Sequence, residues 1–162
     1  MRYRMQSLRN MSGEEITQAF ATIPQGVSAL DIGWNALGEI SGAELAQAFA
    51  TMPQGITTLD LSRNSLGEKS GAELAQALVV LPQGVTTLDL RNNQFEKKST
   101  DELTLIFEAI PQHLACVTLT VQELNQMSTV SLRLLSQLLS HQRQEPDKFA
   151  VRASLPCCNE SL

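Results

Sequence analysis

Residues 41–69 read SGAELAQAFATMPQGITTLDLSRNSLGEK, and residues 70–98 read SGAELAQALVVLPQGVTTLDLRNNQFEKK. The two blocks agree at more than half of their positions, and the same 29-residue unit starts again, more loosely, at Ser12 and at Ser99. Self-similarity at a fixed period of about 20 to 50 residues marks stacked supersecondary units, none of which buries its apolar face alone.

Each unit opens on a helix signal. Ser12-x-x-Glu15, Ser41-x-x-Glu44, Ser70-x-x-Glu73 and Ser99-x-x-Glu102 are capping boxes, in which a hydroxyl accepts from the N–H three residues on and the Glu reaches back. Apolar residues then recur at helical spacing, as Leu45, Phe49 and Met52 or Leu74, Leu78 and Leu81, so a helix of about three turns buries one stripe. Pro24, Pro53, Pro82 and Pro111 end these helices, and Gly26, Gly55 and Gly84 follow where a positive φ is expected. In the strand that comes next, Leu59 and Leu61 point inward while Asp60 and Ser62 point outward. Asn35, Asn64 and Asn93 mark the bend behind it, because an amide satisfies both donors and acceptors freed from the backbone.

Parallel strands stack at about 4.8 Å and packed helices at about 8 to 10 Å, so a pile of such units curves with its strands inside. The expected architecture is an α/β solenoid arc with a parallel β-sheet on the concave face and α-helices on the convex face. Its parts are a half-repeat at 1–11, repeats at 12–40, 41–69, 70–98 and 99–127, a capping helix at 128–141 and a non-repeat tail at 142–162. Strict periodicity puts Tyr3 level with Leu61 and Leu8 level with Leu66. The capping helix aligns through Leu132, Leu135 and Leu139, with Ser131 in the place of the capping Glu. In the fourth repeat His113 replaces the Gly and Gln122 replaces the Asn, read as drift that tolerates positive φ and keeps an amide. Beyond Gln142 the period is lost, and a loosely ordered tail is expected.

Charge and composition exclude several functions. A net charge of −5 argues against nucleic acid as a partner, since that affinity rests on neutralising phosphates. MRYRMQSLRN leads into no apolar segment and no long apolar run occurs, so no signal peptide or membrane span is expected and the chain is read as soluble and monomeric when unbound. Cys116, Cys157 and Cys158 fit neither a disulfide framework nor a zinc spacing, and reduced thiols are expected. The two histidines, His113 and His141, fall in a turn and near a helix end, neither beside Cys116. Without a nucleophile–base pair or a ligand cluster the chain is read as non-enzymatic, with no cofactor and no metal.

The concave face remains as the candidate site. Extrapolating the period, one row reads Arg2, Asp31, Asp60, Asp89 and Thr118, the next Arg4, Gly33, Ser62, Arg91 and Thr120, and the next Met5, Trp34, Arg63, Asn92 and Val121. Ala29, Thr58, Thr87 and Cys116 border the first. Three aspartates about 4.8 Å apart repel one another unless a cation offsets them, and Arg63 and Arg91 are the expected offsets. Asp at this point is also ordinary repeat consensus, and carboxylates on a flat face lack the wrapped ligand set of calcium. Trp34 is the one tryptophan, replaces the Arg or Asn of its neighbours and falls outside the core; the alternative is that it packs over the half-repeat. Because Trp and Arg are enriched in binding hot spots, the candidate protein-binding set is Trp34, Arg63, Asp31, Asp60, Asp89, Arg91, Asn92 and Met5. A five-stranded face covers on the order of 300 Å², against about 800 Å² per partner in a standard interface. Loops such as Glu68-Lys69 and Glu96-Lys97-Lys98, or the tail, are therefore expected to add contacts, unless the partner inserts a narrow element.

With its period, its helix SGAELAQAF, its strand TTLDLSRNSLG and its capping boxes, the chain resembles the ribonuclease-inhibitor-like class of leucine-rich repeats over residues 1–141. The wording GAELAQAFATIPQGV-x-x-LDL is similar to leucine-rich-repeat effectors that Legionella-type bacteria translocate into host cells. This resemblance implies a protein-binding scaffold without activity of its own, made in the bacterial cytoplasm and carried by type IV secretion into the host cytoplasm. Its implied partner is a host protein or a co-delivered effector, often blocked by the contact, and its implied translocation signal is a polar C-terminal tail, here ending PCCNESL. The chain departs from larger members in carrying no catalytic domain, and NESL lacks the Cys that prenylation requires. A second possibility is a targeting adaptor whose Cys157 and Cys158 are lipidated at a host membrane.

Overall fold

All four capping boxes close in a computed structural model of the chain, which describes residues 1–140 and 152–154. They start α1 (Gly13–Ala21), α2 (Gly42–Ala50), α3 (Gly71–Leu78) and α4 (Thr100–Glu108). Each box also joins one repeat to the next: Glu73 Oε1 accepts from the Gly42 N–H at 3.4 Å, and Glu102 Oε1 from the Gly71 N–H at 3.2 Å. Glycine at the first helical position makes this approach feasible, since a Cβ on Gly71 would lie 2.8 Å from Glu102 Cα. At the corresponding Thr100 the neighbour offers Ser131 instead of a Glu, and the Thr100 hydroxyl meets Ser128 Oγ at 3.1 Å.

The capping box at Ser99 carries a pH dependence. The Lys98 ammonium, which donates to Glu102 Oε1 at 2.9 Å, and the Ser99 N–H hold the Glu102 carboxyl down to about 2. A Glu depressed in the folded state contributes stability that is complete above its unfolded value of about 4.3 and is lost as pH falls through its folded value. Glu102→Gln is therefore expected to lower stability at pH 7 and to flatten the acid limb between about pH 4.5 and 2. Urea denaturation across that range checks it; parallel acid limbs in both proteins would contradict it.

Strands β1 (Arg2–Arg4), β2 (Ala29–Asp31), β3 (Thr58–Asp60), β4 (Thr87–Asp89) and β5 (Cys116–Thr120) pair in sequence order, all parallel. Leu30, Leu59 and Leu88 are in register at the 29-residue step, and with Ile32, Leu61 and Leu90 they face the helices in a buried core. Phe20, Phe49, Phe95 and Phe107 fill the space between the layers. Burying each such side chain contributes roughly 1.5 to 3 kcal/mol, realised here through neighbouring repeats.

The half-repeat departs from the period. Tyr3 pairs with Leu30, level with Leu59 and not with Leu61, and Arg4 stands level with Asp31. Leu8 stays in phase, its N–H donating to Asn35 Oδ1 as Leu37 and Leu66 donate to Asn64 and Asn93. Four steps separate Arg4 from Leu8 where six separate Asp31 from Leu37, so the first bend is two residues short. Met5 consequently falls level with Ile32, its carbonyl accepting from Asn35 Nδ2 as the Ile32 carbonyl accepts from Asn64, and it packs against the core instead of standing in the Trp34 row.

The amides form a continuous ladder. Asn35 N–H donates to Asn64 Oδ1 at 2.8 Å, Asn64 N–H to Asn93 Oδ1 at 2.9 Å, and Asn93 N–H to Glu123 Oε1 at 2.8 Å. Gln122, expected to continue it, is exposed. Thr120-x-x-Glu123 is itself a capping box that turns the chain into α5 (Val121–Gln126), so Val121 is helical and the buried Glu123 carboxylate closes the ladder. Two glycine expectations also change. Gly26 alone of the glycines has positive φ, so Gly55, Gly84 and the equivalent His113 do not need it, and the Pro82 carbonyl lies 3.2 Å from His113 Nε2.

Helix α6 (Thr129–Ser140) packs on α4, with Ser131 bonded to Ser128 as expected and Leu135 buried. Leu132 instead lies exposed on its outer side. In the tail, Arg152–Ser154 form β6, parallel to β5 and extending the expected five-stranded sheet to six. His141, Cys157, Cys158 and the rest of the tail lie outside the described residues.

Candidate functional site

The aspartate row sits where β2, β3 and β4 end, and each carboxylate holds the backbone that follows it. Asp31 Oδ1 accepts from the Gly33 N–H at 3.2 Å, Asp60 Oδ1 from Ser62 at 2.9 Å and Asp89 Oδ1 from Arg91 at 3.0 Å. These are local bonds of an acidic side chain to the second residue on, which turn the chain out of the sheet. Arginines cover the carboxylates from outside. Arg2 and Arg4 converge on Asp31 Oδ2 at 2.8 and 3.4 Å, Arg2 reaches Asp60 at 4.0 Å, and Arg91 Nε bonds Asp89 at 2.9 Å.

The burial of the two layers decides the sign of this surface. Side-chain exposure is 8% for Asp31, 21% for Asp60 and 15% for Asp89, against 68% for Arg2, 54% for Arg4 and 33% for Arg91. The row read in sequence as acidic is thus sunk, and a partner meets guanidinium groups first. Arg91 offsets Asp89 as expected, but the other offsets come from Arg2 and Arg4.

Arg63 has a different neighbour. Trp34, Arg63 and Asn92 all adopt left-handed backbone, with φ of 65°, 57° and 57°. That conformation strains a side-chain-bearing residue, and the amide ladder directly behind, at Asn35, Asn64 and Asn93, holds it in place by fixing the next residue. The turn points the three side chains away from the core; all are exposed. Trp34 is 62% exposed, and the Arg63 guanidinium lies over its ring at 4.6 Å from the centroid. At an exposed site such a cation–π interaction is worth about 0.5 to 1 kcal/mol. It leaves the guanidinium edges available, and no described carboxylate pairs with Arg63.

Of the candidate set, Trp34, Arg63 and Asn92 are brought together in one exposed row, beside Asp31, Asp60, Asp89 and Arg91; Met5 is not. Arg2 and Arg4 belong to the face as the rows expect, but the shortened bend brings Arg4 and not Arg2 level with Asp31, and the two take the offsetting role expected of Arg63. The ascending loops contribute less than expected. Lys69 is buried, its ammonium pKa pushed down by burial against the pull of Glu73 and Glu44, and Lys98 is folded onto Glu102, leaving Glu68 and Lys97 exposed.

No protein-family model and no curated protein matches the chain. Among solved structures it is similar to the leucine-rich repeat-containing protein LegL7 from Legionella pneumophila, with a TM-score of 0.77 and 33% identity over 87% of this chain. This is a leucine-rich-repeat chain. Its repeats follow the α/β solenoid plan, strands inside and helices outside, and resemble those of a Legionella protein. The chain spans 44% of LegL7. Among the described residues of this leucine-rich-repeat arc there is no cluster of three metal-ligating side chains, and no helix long and apolar enough to cross a membrane.

Proposed function

We propose that the chain is a non-enzymatic protein-binding module, acting as a bacterial effector that engages a host protein or a co-delivered effector through its concave face and blocks or regulates it. The observation that carries this reading is an exposed Trp34 stacked under Arg63 on a row whose backbone is held by a buried amide ladder. A large amphipathic ring fixed in position loses little conformational freedom on binding, which is the physical basis of a hot spot. The likeness to LegL7 supports the bacterial and interaction parts of the reading.

The test is affinity capture with the full chain against host-cell and bacterial lysates, with Trp34→Ala/Arg63→Glu in parallel. A partner retained by the native chain and lost by the double variant is the expected result. A partner held equally by both would move binding to the loops or the tail.

A further inference from the structure

Resting on that reading, we infer that the concave face takes an acidic helical segment of its protein partner, with a carboxylate held by Arg63 and an apolar side chain on Trp34. Charge selects the chemistry of the occupant. The face presents four arginines, Arg2, Arg4, Arg63 and Arg91, against three aspartates, on a chain whose net charge is −5. Exposure sharpens the contrast, since the aspartates are occupied by backbone N–H groups and by Arg2, Arg4 and Arg91 beneath the rim.

Within that rim Arg63 is prepared for an anion. Its planar group is stacked on Trp34 and makes no ion pair with a described residue, so its N–H edge is free to form the forked pair a carboxylate prefers. Stacking fixes the plane beforehand and reduces the ordering cost of the new bonds. Spacing then selects the element. Trp34, Arg63 and Asn92 lie on successive strand-end turns about 4.8 Å apart, close to the 5 to 6 Å between helix neighbours three or four residues apart. A single helix about 10 to 12 Å across, lying along this row, also matches the length of the strands it crosses, which are 3 to 5 residues at about 3.3 Å each. Across the row such a helix meets an apolar anchor, then a cation, then an amide.

Trp34 is the one tryptophan of the chain, so its emission reports on this site. The probe is a short helical peptide carrying Leu and Glu four residues apart, titrated beside counterparts with Gln or Lys in place of Glu. The Glu peptide is expected to shift Trp34 emission saturably and to bind about tenfold tighter than the Gln peptide, with the Lys peptide weakest. Arg63→Lys, which keeps charge but loses the fork, is expected to erase most of that preference, and Arg63→Gln all of it. No emission change with the Glu peptide to about 1 mM, equal binding of the Glu and Gln peptides, or preference for Lys would each overturn the inference. Such an outcome, beside a captured partner lost in Trp34→Ala/Arg63→Glu, sinks the acidic helix and spares the binding face. A partner indifferent to the double variant sinks both.

Discussion

Asn64→Leu is expected to lower the unfolding free energy by about 3 to 5 kcal/mol, although the replacement is similar in size and more apolar. Asn64 Oδ1 accepts from the Asn35 N–H at 2.8 Å and the Leu37 N–H at 3.4 Å, while its Nδ2 donates to the carbonyls of Ile32 and Leu61, both at 3.0 Å. The side chain is fully buried, so water does not replace these bonds. Each buried polar group left unmatched costs roughly 1 to 3 kcal/mol, and the Asn35 and Leu37 N–H groups lose their acceptor at once, while the Ile32 and Leu61 carbonyls each fall back on one donor, from Asn35 and Asn93. The position adds to the effect, because a solenoid is stabilised between neighbours: the Asn64 side chain bonds into the repeat before it, while its N–H donates to Asn93 Oδ1 in the repeat after. Urea denaturation with native and variant chains measures this; a loss under about 1 kcal/mol would mean that the ladder is incidental.

Trp34→Ala/Arg63→Glu is expected to weaken a captured partner by at least about 100-fold while changing stability by no more than about 1 kcal/mol. Two hot-spot residues at about 2 kcal/mol each exceed the roughly 2.8 kcal/mol that corresponds to this factor, even with incomplete additivity. The small stability term follows from exposure: both side chains lie outside the core, and the interaction removed between them is a solvent-facing cation–π pair. Titration calorimetry against the partner and denaturation of the free variant separate the two effects. A large loss of stability would convict Trp34 of a structural role.

Most of the arc is legible in the sequence because its signals repeat in phase. Four capping boxes, two inward aliphatic residues at each of β2, β3 and β4, and an Asn at the bend behind each are local devices, and each takes the form that its chemistry requires. The ends are less legible, because a period carried outward is blind to a loop that loses residues. Two missing residues before Leu8 move Tyr3, Arg4 and Met5 along the sheet, which places Met5 against the core and Arg4 beside Asp31. At the other end the signal is present in the sequence, but periodicity passes over it. Thr120-x-x-Glu123 has the form of the capping boxes before it, and its carboxylate takes donors from Thr120, Asn92 and Asn93.

The sign of the face is hidden for a different reason. Composition reads three aspartates as an acidic row, but it does not reveal that Gly33, Ser62 and Arg91 N–H groups draw them inward or that two N-terminal arginines fold over them. Arg63 reads as a counter-ion only while the rows of a strand are extended into the bend. There the backbone is left-handed, and the side chain turns out to Trp34 instead.

Hydrogen–deuterium exchange on the captured complex tests the central claim, binding through the concave face, most directly. The account predicts new protection in residues 29–34, 58–63 and 87–92, with exchange in α2, α3 and α4 unchanged. Protection confined to those outer helices, with the strand-end turns exchanging as in the unbound chain, would contradict it.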